Sequence, residues 1–245
     1  MHRLISHLDC QRFGFKIAKI NSWDIDVNDT IHQLRNESVK LIIARVNNKD
    51  LAIINSLEEY GFRLKDIQIT YQCKIDQSCL ENFQQNSNFV IREADTNDIP
   101  AVSSIAYASF LNYGHYFADA RLDKERCGEI YQDWIRNCCI DKNFADIVLV
   151  ATINSNVVGF VAFKIYNSEG KKYASAAISA VAENYRGKGI YKALIRKSLV
   201  WCLENQCKWQ EHNILAINYP VSHALCKLGF TVVNAFMTFH YWLDE

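Results

Sequence analysis

Val181-Ala182-Glu183-Asn184-Tyr185-Arg186-Gly187-Lys188-Gly189-Ile190 brings a strand end, a turn with two closely spaced glycines and a helix start into immediate succession. Glycines let the backbone approach an anion, successive N–H groups point into the turn, and a helix N-terminus adds about half a positive charge. Arg186 and Lys188 add formal charge beside it. Taken alone such a turn is a weak sign, because a plain tight connection reads the same. Its context says more. Phosphate-binding loops of the dinucleotide and P-loop kinds follow the first strand of a βαβ series, whereas this turn follows a hairpin and a third strand of antiparallel character. Gly-x-x-x-x-Gly-Lys-[Ser/Thr] does not occur.

Upstream of the turn, residues 147–153 form a buried-strand run, Asn154-Ser155-Asn156 reverses the chain into Val157 to Ile165, and Glu169-Gly170-Lys171-Lys172 reverses it again into Tyr173 to Val181. Downstream, Ile190, Ala193, Leu194, Ile195, Leu199, Trp201, Cys202 and Leu203 recur at helical spacing over a wide apolar face, which predicts a core-packed helix. Ile214 to Ile217 is then expected as a short strand, Val221 to Leu228 as a short helix stopped by Gly229, and Phe230 to Leu243 as two final strands. Earlier in the chain, Phe89 to Arg92 reads as a strand. Thr96-Asn97-Asp98-Ile99-Pro100 supplies a cap and an early proline for a helix reaching Phe110, and a second helix is expected near Lys124 to Cys138. Around residues 74–88 the sequence turns polar and loses periodicity, as a linker does. The expected organisation is a small α/β domain over residues 1–87 and a second domain over 88–245, mixed α/β around one sheet.

Composition narrows the function classes. With 245 residues and 49% hydrophobic content the chain has apolar surface for real cores. Lys plus Arg balances Asp plus Glu at 27 each, so nothing global draws it to nucleic acid or to anionic lipid. The first residues reach Asp9 before an apolar run of signal-peptide length can form, and no later run approaches about eighteen apolar residues, so a cytoplasmic protein without a membrane partner is expected. The nine cysteines match no zinc or redox spacing and are expected as reduced structural thiols; no metal is expected.

Arg186-Gly187-Lys188-Gly189-Ile190-Tyr191 resembles the Arg/Gln-x-x-Gly-x-Gly/Ala signature of the GNAT superfamily, with Tyr191 in place of the usual final Gly/Ala. Asn218, eleven residues before Gly229-Phe230, matches the family's next spacing, so the resemblance covers roughly residues 89–245. It implies a GNAT fold, a central mixed and mostly antiparallel sheet flanked by helices, and an acyl-coenzyme A cosubstrate. That cosubstrate would be held by Val181, Arg186, Gly187, Lys188, Gly189, Ile190, Tyr191 and Asn218. The Val181 backbone would face the oxyanion. Four residues before Gly229, where the family usually has a tyrosine as general acid, this chain has Leu225.

The whole chain also resembles the N-acyltransferases of dTDP-linked amino-dideoxyhexoses, the dTDP-fucosamine acetyltransferases among them, which serve cell-surface polysaccharide synthesis. Leu8 to Gly14 is similar to their opening segment. Leu57 to Phe62 is similar to the end of their N-terminal domain and echoes Leu225 to Phe230, which suggests a partial copy of the same fold without a phosphate loop. The resemblance implies a nucleotide-sugar acceptor and places His115, Tyr116, Asp119, Tyr131 and Trp134 on the acceptor side. Aromatic rings stack on a thymine or a sugar face, while His115 and Asp119 can hydrogen-bond hydroxyls or the amine. Tyr131 and Trp134, three apart, read equally as a core stripe.

For a side-chain base Asp119 is the first candidate and His115 the second. His223 reads as a solvated helix residue, and His240 and Tyr219 stay unranked. An acyl-cysteine route through Cys226 lacks a histidine partner in sequence. The aromatic run Phe239 to Leu243 suits either a homodimer interface or a buried strand. Two other readings remain: the same fold acting on a different small amine or a protein amine, and an acyl-coenzyme A-binding module without catalysis.

Overall fold

A computed structural model describes residues 4–23, 26–77 and 88–243. The linker expected at 74–88 falls mostly on residues 78–87, which lie outside the described residues. Elements in chain order are α1 (His7–Phe13), β1 (Ile17–Ile20), α2 (Val27–Asn36), β2 (Leu41–Asn47), α3 (Leu51–Glu59), β3 (Arg63–Lys74), β4 (Val90–Glu93), α4 (Ile99–Phe110), α5 (Gly114–Phe117) and α6 (Lys124–Ile140). They continue with β5 (Ile147–Ile153), β6 (Asn156–Ser168), β7 (Lys171–Val181), α7 (Ile190–Glu204), β8 (Trp209–Leu215), α8 (Tyr219–Lys227) and β9 (Thr231–Trp242).

The residues cluster into two compact units that are not separated by one cut near Asn88. Unit 1 holds residues 1–69, 112–127 and 234–245; unit 2 holds 70–111 and 128–233. The last residues belong to unit 1 because β9 pairs antiparallel with β2 along its length, Leu41 opposite Trp242 and Ala44 opposite Phe239.

In unit 2 the order runs β3-β8-β7-β6-β5-β4, with β3 represented by residues 70–74. β4 to β7 are successively antiparallel, and β7 runs parallel to β8. The hairpin turns fall where the sequence placed them. Asn154 and Ser155 take φ of 48° and 66°, and Glu169 and Gly170 take 50° and 74°, the left-handed pair whose twist matches that of the flanking strands. α4 packs Val102 and Ala106 and α6 packs Tyr131, Ile135 and Cys138 into one core with Val148 and Val150 of β5 and Phe160 and Ala162 of β6. Burial of such side chains is worth about 1.5–3 kcal/mol each.

Two expectations change. β8 begins five residues before Ile214, because its inward face carries Gln210 and His212, both fully buried, ahead of Ile214. Ser198 accepts from Gln210 Nε2 at 3.0 Å, so a polar pair fills a position that apolar patterning passes over. Residues 231–242 form one strand and not two: Asn234, which reads as a turn residue, is held inside it by a 2.8 Å bond from Asn47 Nδ2.

In unit 1 the order is β1-β2-β9-β3, and β1 runs parallel to β2. Val27, Ile31 and Leu34 of α2 and Ile54 and Leu57 of α3 pack with Ile42, Ala44 and Val46 of β2 and Phe239 of β9. The final aromatic run is therefore strand interior in this unit. The echo between Leu57–Phe62 and Leu225–Phe230 has a common geometry. Gly61 and Gly229 take φ of 89° and 85°, and the N–H groups of Phe62 and Phe230 return to the carbonyls of Leu57 and Leu225 at 2.9 and 3.1 Å. Both are left-handed helix stops followed by a buried phenylalanine and a strand.

Gly61→Ala and Gly229→Ala are each expected to cost about 1–2 kcal/mol, the strain of a left-handed Cβ. Urea unfolding should show a lowered midpoint of similar size for the two, since a Cβ at Gly229 meets nothing within 4 Å and at Gly61 only touches Tyr241.

Candidate functional site

The glycine turn of unit 2 sits where β7 outruns its parallel neighbour. β7 pairs with β8 only at Tyr173–Ser175 opposite Trp209–Glu211, then continues to Val181. Ala182 N–H bonds to Val158 O across β6 at 2.9 Å. Backbone groups of successive strand residues alternate sides, so the Val181 N–H and C=O face away from β6, beyond the β8 pairing. The Val181 carbonyl accepts Arg186 Nε at 3.1 Å, which fixes that side chain across the turn.

Gly187 and Gly189 take φ of 76° and 81°, and a Cβ on either would meet nothing, so the demand for glycine is conformational. α7 then starts with Gly189 as its N-cap and no side-chain cap, leaving its first-turn N–H groups to an outside acceptor. Ile190 is buried and anchors the helix start, Lys188 is exposed with its ammonium 5.0 Å from the Tyr185 ring, and the Tyr191 hydroxyl is buried. This is a backbone cradle for an anion.

Unit 1 gathers a different set. His115 and Asp119 come together through a residue the sequence left unranked: His240 Nδ1 lies 2.7 Å from Asp119 Oδ2, and its Nε2 lies 2.9 Å from His115 Nδ1. Asp119 also accepts from Trp242 Nε1 at 3.1 Å and from the Arg121 N–H at 3.1 Å, with the Lys65 ammonium at 3.6 Å. Tyr116 is buried and donates to the Asp9 carboxylate, 3.1 Å from both oxygens; Lys19 pairs with that carboxylate.

Charge and proton positions follow in order. Burial pushes the Asp119 carboxyl up, but the bonds from His240, the Arg121 N–H and Trp242 outweigh it and hold the group below the usual carboxylate range. Burial pulls both imidazoles down; for His240 it outweighs the Asp119 bond, and for His115 the His240, Arg45 and Lys19 charges add to it. An ionised Asp119 can only accept, so His240 Nδ1 donates. Neutral His240 then carries its lone pair on Nε2, so His115 Nδ1 donates to it. Neutral His115 is left with an acceptor at Nε2. One carboxylate thus orients two rings and leaves an acceptor nitrogen at the end of the chain.

A profile of the acetyltransferase (GNAT) family matches residues 100–230, more than half of the chain. The chain belongs to the GNAT acetyltransferase family. It is 26% identical over 160 residues to the spore coat polysaccharide biosynthesis protein SpsD of Bacillus subtilis (strain 168), covering 63% of this chain and 51% of that one. The chain spans about half the length of this curated relative. Among solved structures it is similar to a GCN5-related N-acetyltransferase from Sphaerobacter thermophilus (TM-score 0.58, 14% identity, 86% of this chain and 64% of that one). It is also similar to a tandem GNAT protein from the clavulanic acid biosynthesis pathway (TM-score 0.64, 12% identity, 89% of this chain and 68% of that one). These likenesses speak to the fold, which is the mixed α/β GNAT fold.

GNAT proteins use acyl-coenzyme A as cosubstrate. Other site residues fall as follows. Asn218 caps α8, its Oδ1 accepting from Val221 N at 3.4 Å. Leu225 is fully buried and offers no proton donor. Tyr219 is 73% exposed. Tyr131 lies in the unit 2 core, stacked on Phe110 with ring centres 4.4 Å apart, and Trp134 on the same helix is partly exposed. His223 and Cys226 are exposed on α8. Among the described residues no group of three His, Cys, Asp or Glu could hold a metal, and no helix is long and apolar enough to cross a membrane. The eight described cysteines are free, with burial pushing Cys138 up to about 12. Sequence reasoning missed Asp9, Lys19, Lys65 and Trp242, and left His240 unranked. They reach the network from distant segments, with no local spacing to mark them.

Both imidazoles stay neutral when folded, whereas the unfolded chain protonates near the ordinary histidine value of 6.5. Unfolding therefore takes up protons, and stability is expected to fall as pH drops below about 6.5. Melting temperature measured from about pH 7 down to about pH 5 should decline, and a chain carrying His115→Gln and His240→Gln should lose part of that slope.

Proposed function

We propose that this chain transfers an acyl group, acetyl or a longer one such as hydroxybutyryl, from acyl-coenzyme A to the amine of a dTDP-linked amino-dideoxyhexose, in the cytoplasmic assembly of a cell-surface polysaccharide. The observation that carries the donor half is the paired left-handed glycines at the end of β7, feeding an uncapped α7 in a chain of this family. The acceptor half is supported by the end-to-end resemblance to dTDP-amino-sugar acyltransferases and by a relative named for polysaccharide biosynthesis. Residues 1–87 are read as a partial copy of the fold, in keeping with the matched helix stops. No metal and no nucleic acid take part.

In the proposed reaction the N–H groups of Gly187 to Tyr191, with Arg186 and Lys188, hold the pyrophosphate, and Asn218 keeps α8 in register. The amine nitrogen attacks the thioester carbonyl. The C–N bond forms, the carbonyl electron pair moves onto an oxygen facing the Val181 N–H, and collapse breaks the C–S bond. The ammonium proton passes to water. A sugar amine is less basic than lysine, so positioning carries much of the rate. The thiolate takes its proton from water, since Leu225 has none to give. That same leucine favours a second reading, an acyl-coenzyme A holder without turnover.

Thiol release from several acyl-coenzyme A donors, with and without dTDP-3-amino- and dTDP-4-amino-dideoxyhexoses, tests both. Release that depends on one sugar supports the transferase; tight donor binding with no release under any sugar supports the holder. Gly189→Val should raise the donor KM first.

A further inference from the structure

In unit 2, α7 ends at Glu204 in a left-handed stop whose bonds bring two cysteines together. Gln206 takes φ of 62°, its N–H returns to the Leu203 carbonyl at 3.0 Å, and the Cys207 N–H returns to the Cys202 carbonyl at 2.9 Å. In such a stop the two residues joined by the outer bond also meet through their side chains. Here both are cysteines, and their thiols are hydrogen-bonded to each other.

We propose that Cys202 and Cys207 are a modification site, which a hydroperoxide converts to a disulfide, a reversible staple across the connection from α7 to β8. The 2.9 Å bond between the two main chains keeps their backbones within the separation that a disulfide spans, so the bridge asks for side-chain rotation and not for movement of α7 or β8. The buried surroundings tolerate it. Gln210 Nε2 donates to Cys202 Sγ at 3.1 Å and to Ser198 Oγ at 3.0 Å, and Gln210 Oε1 lies 3.0 Å from His212 Nε2. A disulfide sulfur keeps its lone pairs, so oxidation removes an S–H donor and leaves the buried amide its acceptor.

Cys207 is the attacking thiol. The bond from Cys202, with the Lys172 ammonium nearby, holds it below its ordinary value against burial and Asp146. It lies one layer down, 3% exposed, between exposed Gln206 and exposed Lys208, where a small hydroperoxide is suited to reach it. Its thiolate attacks one peroxide oxygen, the O–O bond breaks, and the departing oxygen leaves with the thiol proton, as water when the oxidant is hydrogen peroxide. The Cys202 sulfur then attacks the sulfenic sulfur: the S–S bond forms, the S–O bond breaks, and water leaves with the Cys202 proton. The thiols give up two electrons and the peroxide takes them. Cys138 and Cys139 are adjacent too, but consecutive residues leave a helix about 100° apart, and burial pushes their thiols up to about 12 and about 11. The inference stands on this helix end alone, whether or not the chain transfers acyl groups.

The test is peptide mapping of the whole chain after exposure to hydrogen peroxide and alkylation of the remaining thiols. Trypsin cuts after Lys197 and Lys208, so both cysteines leave in one peptide, residues 198–208. That peptide is expected unalkylated and lighter by two hydrogens, and doubly alkylated when dithiothreitol precedes the alkylation. The oxidised chain should melt about 2 °C or more above the reduced chain, because the bridge removes freedom from the unfolded state. In Cys202→Ser, whose own melting temperature reports that it is folded, the rise should be missing and Cys207 should stop at a sulfenic acid that dimedone captures. A peptide that stays doubly alkylated while exposed Cys226 is oxidised would overturn the proposal. So would a parent Cys207 that goes on to sulfinic acid, a bridge from either residue to another cysteine, or a melting temperature that falls on oxidation.

Discussion

β7 holds its parallel neighbour only as far as Ser175 and then runs on alone to Val181. Everything about the donor side of unit 2 depends on that early parting. A ladder continued to the strand end would consume the backbone groups of Val181 and close the approach to the turn. Because it stops, β8 does not take up the Val181 N–H, and the turn that follows carries two left-handed glycines before an α7 without a side-chain cap. Specific side chains are secondary there. The Tyr191 hydroxyl is buried in the protein.

Unit 1 works by the opposite means, through side chains whose protons are fixed one after another. Ionised Asp119 sets the tautomer of His240, which sets that of His115. In a buried setting such a chain is coherent only when every member is satisfied. The three bonds that hold the Asp119 charge, from His240, Trp242 and the Arg121 N–H, therefore also fix the tautomer of a ring they do not touch.

Local chemistry was legible in the sequence and long-range pairing was not. The Asn154-Ser155 and Glu169-Gly170 turns, the Gly187 and Gly189 turn and the apolar stripe of α7 each depend on residues a few positions apart, and each falls where it was expected. β8 was cut short because buried Gln210 is bonded to Ser198 on another element and buried His212 to Gln210, which no apolar pattern within the strand discloses. β9 was broken in two because Asn234 looks like a turn until Asn47 is beside it. The candidate site divides the same way. Its backbone half could be read from one ten-residue stretch, while His115 and Asp119 could be named only by resemblance and acquire their order from His240.

The pairing of β2 with β9 has a consequence in time. Arg45 and Thr238 meet across 193 residues of chain, and β9 lies between β2 and β3 in the order of unit 1. A ribosome delivers β1, β2 and β3 early and this central strand last, so until then β2 has an unsatisfied apolar edge open to any other extended segment. Loop closure over such a span is slow. Unit 1, whose first strands precede unit 2 in the chain, is thus finished only after unit 2 has been made.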